Sequence, residues 1–294
     1  MAATILLADH TGRLGNRLIL FAHVIAAAEE YGCRVINLSI LPAAHYFEGL
    51  QGNPLGSYPR MHFPLDLRWM VRAFRKPIQG WVRGRRGKPS IQNQWLTVLD
   101  RETNKPVYRL DTPEFARLTQ TSRLIVLWGY PYRCPALVKK HAAKIRAFFK
   151  VHPQAAPRLS REYAEALVAG RDTLAIHIRQ DDFREFCGGK YYFSPEKTAA
   201  SLAAGDWNLG DPRTRTWICS DEPVPPELFP QSSTQNMPRP LGEDLFIMSR
   251  CHQLVAGWST LAYFCAFLGA GRFYRIPSAG QKPQQHPVES LSDA

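Results

Sequence analysis

The 294-residue chain lacks most of the short patterns that assign a chemistry outright. Its six cysteines, at 33, 134, 187, 219, 251 and 265, form no C-x-x-C pair, and Cys265 sits in the apolar run YFCAFLG. A zinc ribbon or disulfide framework is therefore disfavoured, and buried free thiols in a reducing compartment are expected. Neither HExxH nor Asp-x-Asp occurs, so there is no metalloprotease helix and no manganese-binding acid pair. The absence of G-x-G-x-x-G and of a Walker loop argues against a Rossmann dehydrogenase and a P-loop NTPase. No run of 18 apolar residues is present, so no transmembrane helix is expected. The opening MAATILLADH has no basic n-region and reads as a first strand rather than a signal peptide, which makes a cytoplasmic location the default expectation. There is no internal repeat.

Acidic residues are also scarce. Twenty-five stand against 37 basic ones, for a net charge of +12. That excess attracts phosphates, whether on a nucleotide substrate, an anionic membrane or nucleic acid. Much of it is local: residues 68–88, RWMVRAFRKPIQGWVRGRRGK, hold eight Lys/Arg and no acid. A solvated surface segment is one reading. Peripheral contact with an anionic membrane at its cytoplasmic face is another, because Trp69, Val71, Phe74 and Trp81 interleave with the charges. Acceptor or nucleic-acid binding is a lesser alternative. With 45% hydrophobic and 21% charged residues, the chain as a whole has a globular composition.

Strand and helix patterns alternate along it. ATILLAD leads through HTGRLGN into RLILFAHVIAAAEEYG, where Leu18, Phe21, Ala22, Ile25 and Ala28 recur at helical spacing and Gly32 is the stop. CRVINLSI and SRLIVLWGYPY read as strands, 50–92 as irregular, and CPALVKKHAAKIRAFFKV as one helix ending at HPQAAP, a linker. DTLAIHIR, TRTWICSDEP and LVAGW are further strands. SPEKTAASLAA, GEDLFIMSRCHQ and STLAYFCAFLGA are helices, the first opened by Ser194-Pro195. The expectation is α/β, with a domain over 1–155, a second over 156–278, and a flexible Pro/Gln/Ser-rich tail over 279–294.

Ligands of open α/β sheets bind beyond the carboxyl ends of the strands, and four polar clusters fall there. Gly12 and Gly15 flank a turn into a helix, with Asn16 at or near the cap, so the turn offers N–H groups and a helix dipole to an anion. A plain capped turn reads equally well. In HIRQDDF, His177 and Arg179 share one face of a strand. Arg179 there suits a bidentate grip on phosphate, or a structural ion pair with Asp181 or Asp182. CSDEP contributes Ser220 and Asp221. In GWST, Ser259 and Thr260 repeat the strand-to-helix arrangement, as a phosphate contact or as ordinary N-capping.

These stretches carry a resemblance. GRLGNRLILFAHVIAAAEEYG resembles the Gly-x-x-Gly-Asn helix that opens α-1,2-fucosyltransferases of glycosyltransferase family 11 and their α-1,6- and protein O-fucosyltransferase relatives. LWGYPYRCPALVKKHAAKIRAFF is similar to the family's Gly-Tyr-Phe-Gln-Ser segment and following helix, HIRQDDF to its His-x-Arg-Arg-Gly-Asp-Tyr motif, and CSDEP to its Ser-Asp-Asp turn. EDLFIMSRCHQLVAGWSTLAYFCAFLG follows its Asp-Leu-x-x-Met-Ser-x-Cys…Asn-Ser-Thr-x-Ser-Trp pattern. The five matches occur in family order over about 10–270, with little over 45–120. Gln180 replaces the family's second Arg, Asp181 its Gly, Arg17 its Gln and Trp258 its Asn.

The resemblance implies a GT-B-like fold of two Rossmann-like halves, an acceptor-side N-terminal one and a nucleotide-sugar-binding C-terminal one. It implies an inverting transfer of fucose from GDP-fucose to a hydroxyl of a glycan or glycolipid, with no cofactor, no required metal and no nucleic-acid partner. Arg179 would hold the β-phosphate and stabilise the leaving diphosphate, and His177 and Asp221 would hold guanine and ribose. Asn16 would lie near the β-phosphate and sugar, and Ser259 and Thr260 on phosphate oxygens. Asp182 and Glu185 are the nearest carboxylates and hence the candidate general bases. The alternatives are a GT-B transferase with another nucleotide sugar, and a non-catalytic basic module acting through 68–88.

Overall fold

The computed structural model describes residues 2–7, 12–61, 91–101, 106–205, 207, 209–229, 232, 239–269 and 271–292, with isolated positions between 73 and 84. The basic stretch 68–88 and the membrane contact attached to it lie for the most part outside the described residues. The chain divides into two compact units, Met1–Lys150 with Glu289–Ala294, and Val151–Val288.

The first unit begins with β1 (Thr4–Leu7), α1 (Leu14–Tyr31) and β2 (Arg34–Asn37). It continues with β3 (Leu96–Arg101), β4 (Tyr108–Arg109), α2 (Pro113–Thr121), β5 (Leu124–Gly129) and β6 (Tyr132–Arg133). Its main sheet runs β2-β1-β5-β3, with every pairing parallel. In α1, Leu18, Phe21, Ala22 and Ile25 are fully buried, and so is His23. A helix this apolar on all sides must be packed all round. It ends where the sequence puts a residue without a side chain: Gly32 adopts φ 67° and donates its N–H to the Ala28 carbonyl.

The helix expected over 134–151 bends at His141 (φ −103°, ψ 16°) into α3 (Pro135–Lys140) and α4 (Ala142–Phe148). His141 turns its Nε2 to Glu30, 2.8 Å away. The apolar face continues across the bend, so Phe148 and Phe149 both meet Phe21 edge-on. Sequence periodicity sees the face and not the bend.

The second unit holds α5 (Pro157–Val168), β7 (Asp172–Ile178), α6 (Pro195–Ala203), β8 (Thr214–Ser220) and α7 (Leu241–Met248). They are followed by β9 (Gln253–Ala256), α8 (Thr260–Leu268), β10 (Arg272–Arg275) and β11 (Gln284–Gln285). The sheet order is β11-β10-β9-β7-β8, parallel except for β11. Ile176, Ile218, Val255 and Phe229 form its core. Ser194 caps α6 by accepting the Lys197 N–H, with Pro195 at the first helical position. Because β7, β8 and β9 are parallel, their carboxyl ends collect at one edge of the unit.

Two parallel-sheet α/β units agree with the GT-B-like fold class. Two details differ from expectation. The described part of the 279–294 tail is ordered: β11 pairs with β10, and Leu291 is fully buried, its carbonyl accepting from His23 Nε2 at 3.3 Å. One apolar residue with a slot to fill outweighs a polar average. Of the six cysteines, all are free thiols and five are buried, whereas Cys187 is exposed. No helix among the described residues is long and apolar enough to cross a membrane.

Truncating Leu291 to Ala should lower unfolding free energy by about 2–5 kcal/mol, the usual range for a buried Leu. Urea denaturation measures it, and an unchanged midpoint would mean that the tail is not docked.

Candidate functional site

At the end of β7 the chain leaves the sheet at His177, Ile178 and Arg179. His177 is buried, and its Nδ1 lies 3.2 Å from the Cys219 carbonyl on β8. A carbonyl only accepts, so Nδ1 carries the proton and Nε2 is the acceptor. Ser259 Oγ, 3.0 Å away, is the donor to it. The same Oγ accepts the Ala262 N–H as the cap of α8. One imidazole thus ties three strand ends together, and the Ser259 hydroxyl both donates and accepts within the protein. Burial first, and the Arg179 charge second, push the imidazole down to about 4, so it is neutral at pH 7.

Arg179 points from the strand end towards two carboxylates. Its Nε and Nη2 donate to Asp182 Oδ1 at 3.0 and 2.7 Å. Its Nη1 lies 3.1 Å from Asp221 Oδ2. The other Asp221 oxygen accepts the Gln180 N–H at 2.8 Å, which holds the turn after β7 against the turn after β8. Gln180 is itself buried and donates to Ser220 Oγ at 3.1 Å. Asp181, Asp182 and Asp221 can each bring an oxygen within 4.8 Å of the others, a spacing that admits a divalent cation. Arg179 is already the counter-ion of two of them.

Behind this edge Asp244, in the first turn of α7, is buried with Oδ1 outside any hydrogen bond. Burial pushes its carboxyl up to about 7, opposed by the charge of Arg239. Arg239 is also buried and donates to the Ile218 carbonyl.

Of the residues singled out in sequence, His177, Arg179, Asp182, Ser220, Asp221, Ser259 and Thr260 all belong to this edge of the second unit. Glu185 follows on the same loop and is exposed. Gly12, Gly15 and Asn16 belong to the first unit. There Arg13 rather than Asn16 occupies the cap position of α1, without a side-chain cap bond, and Asn16 lies two residues inside the helix. Gly12 has φ 71°, and a Cβ on it would lie 2.4 Å from the Asn16 amide, so the turn needs glycine. Sequence reasoning missed the framework roles of Gln180, Arg239 and Asp244; the substitution at 180 and the Asp-Leu-x-x-Met-Ser match at 244 were the visible signals.

No family model matches the chain. No curated protein matches its sequence. Among solved structures, an arginine-to-lysine mutant of Arabidopsis thaliana FUT1 in complex with GDP is similar at TM-score 0.62 and 13% identity, over 97% of this chain and 74% of that one. POFUT1 in complex with GDP-fucose aligns at TM-score 0.44 and 12% identity, over 96% of this chain and 97% of that one. The first likeness establishes a shared fold.

The state of His177 has a consequence for stability. Its folded-state pKa lies below the ordinary value of 6.5, so the unfolded chain takes up the proton first. The contribution is complete above about pH 6.5 and is lost as pH falls to about 4, by an amount on the order of 3 kcal/mol. Asp244 runs the other way, losing stability as pH rises from 3.8 towards 7. In chemical denaturation, the stability difference between the parent chain and His177→Asn should shrink as pH falls from 7 to 4. Parallel curves would mean that His177 is not buried neutral.

Proposed function

We propose that the protein is a glycosyltransferase that moves fucose from GDP-fucose to a hydroxyl of a glycan or glycolipid, inverting the anomeric carbon without a metal. The observation that carries this reading is Arg179: a guanidinium fixed at the carboxyl end of a central parallel strand, in a chain that shares over 97% of its length the fold of a GDP-bound FUT1 structure.

Breaking the bond between sugar and phosphate leaves its electron pair on GDP and oxocarbenium character on the sugar. Donors aimed at the diphosphate stabilise that charge. In this reading Arg179 keeps its Nε on Asp182 and turns Nη1 from Asp221 to the β-phosphate. Asp221 Oδ2 is then free to accept from a ribose hydroxyl, while Oδ1 stays on the Gln180 N–H. The N-terminus of α8, opened by Ser259 and Thr260, supplies a further anion-stabilising dipole. His177 acts through Ser259 and Cys219 as the strut of this edge. Its nitrogens are both engaged, so it supports the nucleotide site without touching guanine. The acceptor oxygen attacks from the face opposite the phosphate, and its proton passes to a carboxylate. Asp182 and Glu185 are the two at hand, and Asp182 already carries Arg179 on Oδ1. Metal independence is supported by the position of Arg179, a fixed cation among the carboxylates that would otherwise hold an ion.

Calorimetry should show GDP and GDP-fucose binding that Arg179→Ala abolishes, with kcat for transfer falling roughly 10²–10³-fold. No GDP binding, or equal binding by the variant, sinks the reading. A preference for uridine nucleotides in a donor-hydrolysis screen would replace the guanine donor. Treatment with EDTA should leave the rate unchanged; a rate that needs added magnesium or manganese would overturn the metal-free step and point to Asp181, Asp182 and Asp221.

A further inference from the structure

A continuous line of aromatic rings leaves Arg179 and crosses the surface of the second unit. The guanidinium lies 5.8 Å from the Phe183 ring. Phe183 stacks on Phe186 at 5.7 Å, Phe186 meets Tyr191 at 6.0 Å, and Tyr191 meets Trp258 at 5.6 Å. Arg275 closes the far end, 4.4 Å over the Trp258 ring. Phe186 is 51% exposed and Trp258 40% exposed, so the line is not a piece of core.

The backbone holds these rings out at a cost. After Phe186 three successive residues, Cys187, Gly188 and Gly189, have φ of 51°, 66° and 75°. Cys187 is not a glycine and is strained there. Its own side chain is exposed, and the turn is held by backbone hydrogen bonds from Gly188 to the Glu185 carbonyl and from Lys190 to the Cys187 carbonyl. The turn sets Phe186 and Tyr191 in line. Trp258 is fixed separately: its Nε1 donates to the Pro277 carbonyl at 3.3 Å, and Gly257 beside it allows Phe193 an approach that a Cβ would block at 2.5 Å. Large apolar rings kept in water by a strained turn and a dedicated hydrogen bond mark a binding surface.

The shape and fringe of the line select its occupant. Successive ring planes differ by 25°, 34° and 55°, which makes a curved strip and not the parallel slot that clasps one flat base. Its charged neighbours are of both signs, Lys190, Arg184 and Arg275 against Asp181, Glu185 and Glu222, which does not suit an anionic lipid surface. Sugar rings suit both features. Their C–H faces carry the weak positive charge that a π face attracts, as it attracts a cation. Their equatorial hydroxyls need donors and acceptors side by side.

We infer that Phe183, Phe186, Tyr191 and Trp258 form an acceptor-binding track on which the pyranose rings of a neutral oligosaccharide stack, leading its reacting hydroxyl towards Arg179. The inference rests on the glycosyltransferase reading for its role and on this unit's surface for its geometry.

Saturation-transfer NMR with lactose, N-acetylchitotriose and mannotriose tests it on the full chain. At least one of the three should receive transfer on its ring C–H protons. Phe186→Ala with Trp258→Ala should weaken that binding by about tenfold or more, as loss of two stacking rings implies. Phe186→Tyr with Trp258→Phe should keep it. GDP affinity and the thermal midpoint should be the same in all three proteins. Transfer to none of the sugars, or transfer undiminished in the double-alanine variant, overturns the track. A fall in GDP affinity in that variant also overturns it, since the rings would then hold the base. Sugar binding by a chain that does not bind GDP would instead sink the nucleotide-sugar reading and leave the track standing.

Discussion

A guanidinium at the end of β7 lies 2.7 Å from Asp182 and 3.1 Å from Asp221, and the loops after β7 and β8 take their course from that pairing. Asp221 then draws in the Gln180 N–H, and Gln180 in turn fills the space over Ser220. Each of these groups is polar and at least partly buried, so each needs the next to be satisfied. Removing the guanidinium would leave two carboxylates facing each other and Asp181 nearby. The cluster therefore has a negative surplus as it stands, and the proposed diphosphate has to exchange places with a carboxylate on Arg179 rather than simply add to it.

That exchange separates the two arginines of the aromatic line. Arg179 is held by carboxylates and is a site of competition between anions. Arg275 lies over the rings of Trp258 and Tyr263, at 4.4 and 5.6 Å. The geometry between them is apolar, so a ligand running from one to the other needs a polar end at Arg179 and a surface of C–H groups beyond it.

The strands that carry the site were legible because each is an apolar run ending in residues that do not belong in a sheet. DTLAIHI and TRTWICS meet that description, and they are β7 and β8. Strands β4, β6 and β11 have two residues each, too few for any periodicity, and β10 is RFYR, whose ends are charged. The Arg179–Asp182 pair was open to sequence reasoning because it is three residues apart. The Gln180–Asp221 bond spans 41 residues and was not. Ser259 shows a second limit. Its place as a helix cap follows from sequence, but the direction of its hydroxyl proton depends on which nitrogen of His177 is protonated. That depends in turn on a carbonyl of another strand.

Three of the substitutions that separate this chain from its resembled family, at 180, 181 and 258, fall into one physical pattern. Gln180 in place of Arg lets the turn after β7 be buried, since an amide can be satisfied by Ser220 where a second guanidinium would need another anion. Asp181 in place of Gly adds an exposed acid at the lip. Trp258 in place of Asn trades a hydrogen-bonding side chain for a ring that extends the line from Tyr191 to Arg275. Positive charge is thus withdrawn from the end of β7, and apolar surface is laid down beside it. If the proposed diphosphate binds here, a strand end altered in this way grips it less through charge, and relies more on contacts with the rest of the ligand for both affinity and selection. On the proposed reading, discrimination then falls to the track and Arg179 acts on the bond that breaks.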